Sequence, residues 1–331
     1  MPMTLASPCR SDDTRSPHPE RTLKHVLPNY RIAVVGSGAV GGYYGAMLAN
    51  AGRDVHFLMR SDLDHVRKHG LRVRSKHGDF HLQGVNAQAD TTAIGACDLV
   101  IIALKATSNE ALDDLIPPLL HEHTMLLTLQ NGLGNEEFLA QRFGAERVLG
   151  GLCFVCLNRT EPGHIHHIGA GTISIGEFTG YPLPRTHEVA SEFKRSGVVC
   201  NVKQDLTKQR WKKLVWNVPF NGLSIAAGGI DVAQILADDR LKLRAKELMR
   251  EVIRSAKLLG YDLPISLVED QIDATKPMGA YKPSSLIDFL EGREIEIEAI
   301  WGEPLRQAKA AGAEVPELES LYEEIQHAAA Q

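Results

Sequence analysis

RIAVVGSGAVGGYYGAMLANAGRDVHFLMR, residues 31–60, is the stretch that decides how the rest of the chain is read. A β-branched apolar run, Ile32 to Val35, leads into Gly36-Ser37-Gly38-Ala39-Val40-Gly41; a helix-forming segment follows to Asn50, and a second apolar run occupies Val55 to Leu58. Strand, glycine-rich turn, helix and strand in that order make a βαβ unit carrying GxGxxG in the context that gives the motif meaning. Gly36 permits the tight turn out of the strand, Gly38 lets backbone approach a pyrophosphate, and Gly41 lets the helix pack closely on the sheet. The unpaired N–H groups at the helix start then face the anion. Residues Gly36, Ser37, Gly38, Ala39, Val40 and Gly41 are therefore the expected dinucleotide cradle.

The end of the second strand bears on the choice of cofactor. An NAD site usually carries Asp or Glu about 20 residues past the first glycine, where it accepts from the ribose hydroxyls. Here the strand runs out into Arg60, while Asp54 sits at its beginning, away from the ribose. A guanidinium can take a 2′-phosphate through two parallel charge-assisted bonds, so NADP(H) is the expected cofactor.

At 331 residues the chain is long for one domain, and 44% hydrophobic content suits globular cores. A formal charge of −5, with no long basic run, argues against nucleic acid or an anionic membrane as the main partner. No apolar stretch approaches the length of a membrane span. The cysteines, Cys9, Cys97, Cys153, Cys156 and Cys200, are scattered and odd in number, which fits a reducing cytoplasm better than a disulfide framework.

Residues 1–29, rich in Ser, Pro, Asp, Arg and His, read as a disordered extension without the apolar core of a secretory signal. Past Arg60, a short helix (Leu63 to His69) and two short strands (Leu71 to Arg74, Asp79 to Val85) are expected. Asp98 to Leu104, DLVIIAL, and Thr124 to Leu129 are continuous apolar runs of the kind found in a parallel sheet covered on both faces. They end at Lys105 and at Gln130-Asn131-Gly132. Ligands on open α/β sheets bind outside the carboxyl ends of strands, so Lys105 and Asn131 fall where a nicotinamide and its substrate should lie. Residues 148–177 read as strands joined by a Pro162-Gly163 turn. Cys153 and Cys156 point to opposite strand faces and no second ligand pair follows, so no metal site is expected. A last short strand lies around Val198 to Gln204.

From Leu206 onward nearly everything reads as helix, including Leu241 to Leu259, Ser284 to Gly292, Glu294 to Ala311 and Pro316 to Ala329. The expected architecture is an α/β N-terminal domain with a Rossmann-type doubly wound sheet, residues 30–205, followed by an all-α substrate domain, residues 206–331. The default active site is the cleft between them.

WKKLVWNVPFNGLSIAAG, residues 211–228, is apolar on nearly every side and should be a buried helix. Lys213, Asn217 and Asn221 nevertheless recur at four-residue spacing and form one polar stripe. Such groups are costly to bury without partners, and one ammonium with two amides suits a pocket for a polar anion. Pro219 should bend the helix near the stripe. In EGREIEIEAIWG, residues 291–302, helical spacing puts Glu291, Glu294 and Glu298 on a solvated face. Glu296, about 200° round from Glu294, then points inward toward a cationic or hydroxylic partner, with Lys213 the candidate. Lys213 could protonate a carbonyl under reduction while Glu296 holds the nascent hydroxyl. Ser284, after Lys282-Pro283, is a candidate helix N-cap beside which a carboxylate could bind.

These motifs, GSGAVG, Arg60, ALKA around Lys105, QNGLG around Asn131, WKKLVWN with Asn221, and KPSS through EIEAIWG, together resemble the ketopantoate reductase (2-dehydropantoate 2-reductase) family over roughly residues 31–329. The resemblance implies NADPH-dependent reduction of ketopantoate to pantoate, in the pathway to pantothenate and coenzyme A. It implies Lys213 as general acid and Glu296 as ligand of the substrate hydroxyl. Asn131 would touch nicotinamide and substrate, Asn217, Asn221 and Ser284 would bind substrate, and Lys105 would lie near the cofactor. Two positions depart from the family pattern beside the expected pocket: Gly222 stands where proline is usual, and Trp301 where asparagine is frequent. The expected partner is a small 2-oxo acid, with a homodimer as an open option. Another 2-oxo acid as substrate, or a non-catalytic NADP(H) sensor, are the competing readings.

Overall fold

The computed structural model describes residues 30–330; the expected N-terminal extension falls outside the described residues. β1 (Arg31–Val35), α1 (Ala39–Asn50) and β2 (Asp54–Leu58) form the βαβ unit as read. Then come α2 (Leu63–His69), β3 (Leu71–Ser75), β4 (Phe80–Leu82), β5 (Asn86–Gln88), α3 (Thr91–Ile94), β6 (Leu99–Ile102), α4 (Leu112–Leu115), β7 (Met125–Thr128) and α5 (Asn135–Phe143). The sheet half closes with β8 (Val148–Glu161), β9 (His164–Glu177), α6 (Pro184–Arg195) and β10 (Cys200–Val202).

The ten strands of the described residues form one sheet, ordered β4-β3-β9-β8-β7-β6-β1-β2-β5, with β10 pairing on β9. Pairings from β5 across to β8 are parallel, whereas β8 and β9 form a long antiparallel hairpin with bulges, turned at Gly163 (φ 69°). The continuous apolar runs are explained by burial on both faces: Ile32 and Val34 enter the core under α1 and α6, while Ala33 and Val35 enter the core under α3, α4 and α5. The chain leaves β1 for β2 on one side and returns to β6 on the other. The carboxyl ends of β1 and β6 therefore flank the switch point where a dinucleotide crevice opens.

The remaining chain is helical: α7 (Leu206–Ala226), α8 (Val232–Ala237), α9 (Asp239–Leu258), α10 (Leu267–Thr275), α11 (Ser284–Leu290), a π-helical turn (Glu298–Gly302), α12 (Glu303–Ala310) and α13 (Pro316–Ala329). α7, capped by the Asp205 side chain, is the buried central helix and packs on α9, α11 and α13. It continues through Pro219, whose missing N–H leaves the Val215 carbonyl without its helical donor. Among the described residues no helix is long and apolar enough to cross a membrane.

Two local expectations fail. Glu294 to Ala311 is not one helix: residues 293–296 run as coil after the left-handed turn at Gly292 (φ 65°), and helical structure begins at Ile297. Buried Ile295 anchors that coil, and the Glu294 carbonyl is taken by Lys105 instead of a helical N–H. The helical-wheel placement of Glu296 thus had the wrong basis. Ser284 does not cap α11 either; Pro283 occupies the cap position and Ser284 is the first helical residue, exposed.

Candidate active site

The glycine turn is built as its chemistry requires. Gly36 lies at φ 100°, and a Cβ there would collide with the backbone at Ala103 and Leu104, the end of the β6 segment. A Cβ on Gly41 would overlap the Gly36 carbonyl and crowd Val34 and Ala103. Gly38 is the opposite case: among the described residues nothing lies within 4 Å of the position its Cβ would take. Among the described residues the start of α1 has no side-chain cap, which leaves its first amides turned toward the site of an anion. Ser37 Oγ donates to the Leu58 carbonyl at 2.8 Å and ties the turn to the end of β2. Arg60, two residues on, is exposed and its guanidinium has no partner among the described residues. Asp54 is held at the far end of β2 by Arg31 and His56.

Lys213 reaches out of α7 to the carboxyl edge of the sheet. Its Nζ donates to Asn131 Oδ1 at 2.8 Å, just past β7, and to the Cys153 carbonyl on β8 at 3.0 Å. The Phe154 ring, half exposed, lies with its centroid 5.6 Å from the same ammonium. Burial pushes the Lys213 pKa down to about 8; the neighbouring Arg210 charge works in the same direction and the Glu296 charge against it. An amine so placed can exchange a proton near neutral pH.

Glu296 faces the same cleft. Its Oε1 accepts from the Ala106 N–H at 2.9 Å, after β6, with the Asn131 side chain beside it. Burial raises its pKa, opposed by the Ala106 N–H. Lys105 also spans the cleft, donating to the Glu294 carbonyl at 2.7 Å and pairing with Asp288 at 3.0 Å. The glycine turn, the segment after β6, Glu296, Asn131 and Lys213 are thus contiguous.

The amide stripe divides in its duties. Asn221 is nearly spent on structure: Nδ2 donates to the Asn217 carbonyl at 3.2 Å, and Oδ1 accepts from the Ser285 N–H at 3.0 Å. The Asn217 side-chain amide has no protein partner among the described residues, which leaves it open to a ligand. Gly222 and Trp301 prove to be neighbours behind the stripe. A Cβ on Gly222 would stand 2.6 Å from Leu321 and 2.9 Å from the Trp301 indole nitrogen, which donates to the Val218 carbonyl at 3.0 Å. Trp301 is fully buried, so this pair is a packing exchange in the helical core and not part of the pocket wall.

Phe154, and Arg210, Glu136, Asn109 and Asn135, which are bonded to one another or to the Asn131 loop, carry no local sequence signal. Arg210 stood three residues before Lys213 on the same helical face, the one clue available. Cys153 is buried in the sheet core, Cys156 lies beside Tyr281, and His167 is satisfied by Tyr43, Ser75 and two carbonyls. Among the described residues no group of three or more His, Cys, Asp or Glu could hold a metal ion.

A glycine turn at the switch point of an α/β sheet, facing a helical unit that inserts an ammonium and a carboxyl, defines a two-part dinucleotide-dependent oxidoreductase. Residues 32–180 match the family model described as ketopantoate reductase PanE/ApbA, and residues 205–329 match its C-terminal counterpart. The chain belongs to the ketopantoate reductase family, whose members are NAD(P)-dependent oxidoreductases. It is 41% identical over 300 residues to a 2-dehydropantoate 2-reductase of Nostoc sp., covering 89% of this chain and 94% of the relative. A crystal structure of 2-dehydropantoate 2-reductase from Geobacter metallireducens superposes with TM-score 0.88 at 46% identity, over 90% of this chain and 99% of that one. The ternary structure of D-mandelate dehydrogenase with NADH and anilino(oxo)acetate shares the fold alone, with TM-score 0.83 at 20% identity over 90% and 98% of the chains.

Proposed function

We propose that the protein reduces 2-dehydropantoate to pantoate with NADPH, in the cytoplasmic route to pantothenate and coenzyme A. Residues 30–205 serve as the cofactor domain and residues 206–331 as the substrate domain. The observation that carries this reading is the Lys213 ammonium, bonded to Asn131 at 2.8 Å at the mouth of the nucleotide crevice. Relatives bearing that activity by name at 41% and 46% identity support the substrate.

The open space at Gly38, the uncapped start of α1 and Arg60, which has no partner among the described residues, fit a dinucleotide whose 2′-phosphate is met by the guanidinium. NADPH, when bound, supplies the hydride that reduces C2 of the 2-oxo acid. Lys213 supplies the matching proton to the carbonyl oxygen, so that carbonyl becomes hydroxyl. Asn131 holds the ammonium in line and lies next to both reactants. Glu296 accepts from the nascent hydroxyl, and the Asn217 amide binds the polar groups of the acid, joined by the second Nδ2 hydrogen of Asn221 and the exposed Ser284 hydroxyl. Phe154 offers apolar surface for the substrate's branch. Lys105 stays near the cofactor and ties the post-β6 segment to the helical half.

Purified protein assayed with NADPH and NADH against a panel of 2-oxo acids tests the reading. Ketopantoate with NADPH should give the highest kcat/KM; faster turnover of another 2-oxo acid would reassign the substrate. A non-catalytic sensor would show no turnover, and Lys213→Ala would leave its cellular role intact.

A further inference from the structure

The loop that carries Asn131 is held by more side chains than a turn needs. Arg210 Nη1 donates to the Gln130 carbonyl at 3.0 Å and to the Gly132 carbonyl at 3.4 Å. Between them, the Asn131 carbonyl accepts from Asn135 Nδ2 at 2.8 Å. Three consecutive carbonyls of this irregular segment are therefore satisfied by side chains from outside it, which ties the loop's position to Arg210 and Asn135. Asn135 in turn accepts from Asn109 at 3.0 Å, Asn109 accepts from Gln130 at 2.7 Å, and Gln130 accepts from Thr128 at 2.9 Å. The chain of amides returns to the loop it started from. On the other flank Gly132, at φ 82°, abuts the Ala299 carbonyl, which takes the Leu133 N–H at 2.9 Å.

Arg210 is 5% exposed, and its guanidinium also grips Glu136, with Nε donating to Oε1 at 2.7 Å. The carboxyl fits because Gly150 on β8 has no Cβ to fill its place. Arg210 precedes Lys213 by three residues, so one face of α7 holds the loop backbone and then reaches the side chain that the loop presents. A planar guanidinium spreads its donors far enough apart to take a carboxylate on one side and two carbonyls on the other, whereas the three donors of a lysine ammonium radiate from one atom.

We propose that Arg210, braced by Glu136, is a positioning residue that sets Asn131 against Lys213 and so aligns the proton donor without touching substrate. The claim about catalysis rests on the function proposed above; the claim about geometry does not. The Arg210→Met/Glu136→Met double variant removes the pair without stranding a buried charge. It should melt near the wild-type temperature, with kcat lower by about tenfold to a hundredfold and KM for the 2-oxo acid within about threefold. Wild-type kcat at an unchanged melting temperature would overturn the proposal. Should that variant not fold, Arg210→Lys keeps the buried cation but not the fork; the same loss of kcat is expected, and full kcat would overturn the role. A ligand-free crystal structure of the variant that folds reads the geometry with no substrate at all. Displacement of residues 130–132 and loss of the Lys213–Asn131 bond are expected; that bond retained at 2.8 Å would refute the role. Wild-type protein inert toward every 2-oxo acid would instead remove the proposed function and leave the positioning geometry intact.

Discussion

The glycine turn after β1 and the Asn131 loop after β7 sit side by side at the same edge of one sheet, yet they are made in opposite ways. The first is a local device. Gly36, Gly38 and Gly41 act by lacking a side chain, and the clashes avoided at Gly36 and Gly41 lie within the βαβ unit and the adjoining β6 end. The second is assembled from afar: Arg210 lies 80 residues from Gln130, Lys213 lies 82 from Asn131, and the Glu296 partner of Ala106 lies 190 away. A glycine cradle can thus be written in a short motif, while the Lys213–Asn131 contact exists only once the two halves have packed.

The contrast can be broken most severely at Lys213. Lys213→Ala should lower kcat by about 10²- to 10⁴-fold, the usual span for a positioned general acid, and leave NADPH affinity within a few fold. Dinucleotide titration by fluorescence, beside steady-state rates, checks this; a parallel collapse of cofactor binding would show that the two devices are not separable. Arg60→Ala attacks the local device instead. Loss of charge-assisted bonds worth about 1.5–3 kcal/mol should weaken NADPH by roughly tenfold to a hundredfold and leave NADH nearly unchanged. Equal weakening of both cofactors would remove Arg60 from the 2′-phosphate.

A smaller, continuous test uses pH. Burial lowers the Lys213 pKa to about 8, so the ammonium is intact below that value and is lost as pH rises through it. The kcat/KM for reduction should be flat below about pH 8 and fall roughly tenfold per unit above it, while oxidation of the 2-hydroxy acid, which needs the free amine, should rise over the same window. A reduction profile flat to pH 10 would exclude Lys213 as the proton donor. The least effect on catalysis is expected at Gly222. Gly222→Ala would press a methyl against Leu321 and the Trp301 indole, costing about 1–3 kcal/mol of stability and leaving KM for the substrate unchanged. A changed substrate preference would return Gly222 and Trp301 to the pocket.

Where the reading of the chain erred, local rules had been carried into places governed by packing. Helical spacing over Glu294 to Ala311 predicted an inward Glu296, and the residue does face the cleft, but from a coil. That coil exists because Lys105 takes the Glu294 carbonyl and Ile295 is buried. A Ser after Lys-Pro predicted a cap, but Pro283 holds that place and the neighbouring Ser285 amide pairs with Asn221. Arg210 and Glu136 could not be told from solvated charges, because a charge's partner across 74 residues leaves no trace in its neighbours.

By itself, the order of residues determined the βαβ cradle, the doubly covered strands, the buried α7 with its polar stripe, and the change from sheet to helix near residue 205. These follow from periodicities and turn chemistry that act over a few residues. Only the tertiary structure decided which amide is tied to Ser285, what holds the Asn131 loop, why Lys213 is a weakened base, and that Trp301 belongs to the core. Each of those depends on burial and on partners brought together by the docking of one half on the other, and desolvation has no sequence spacing.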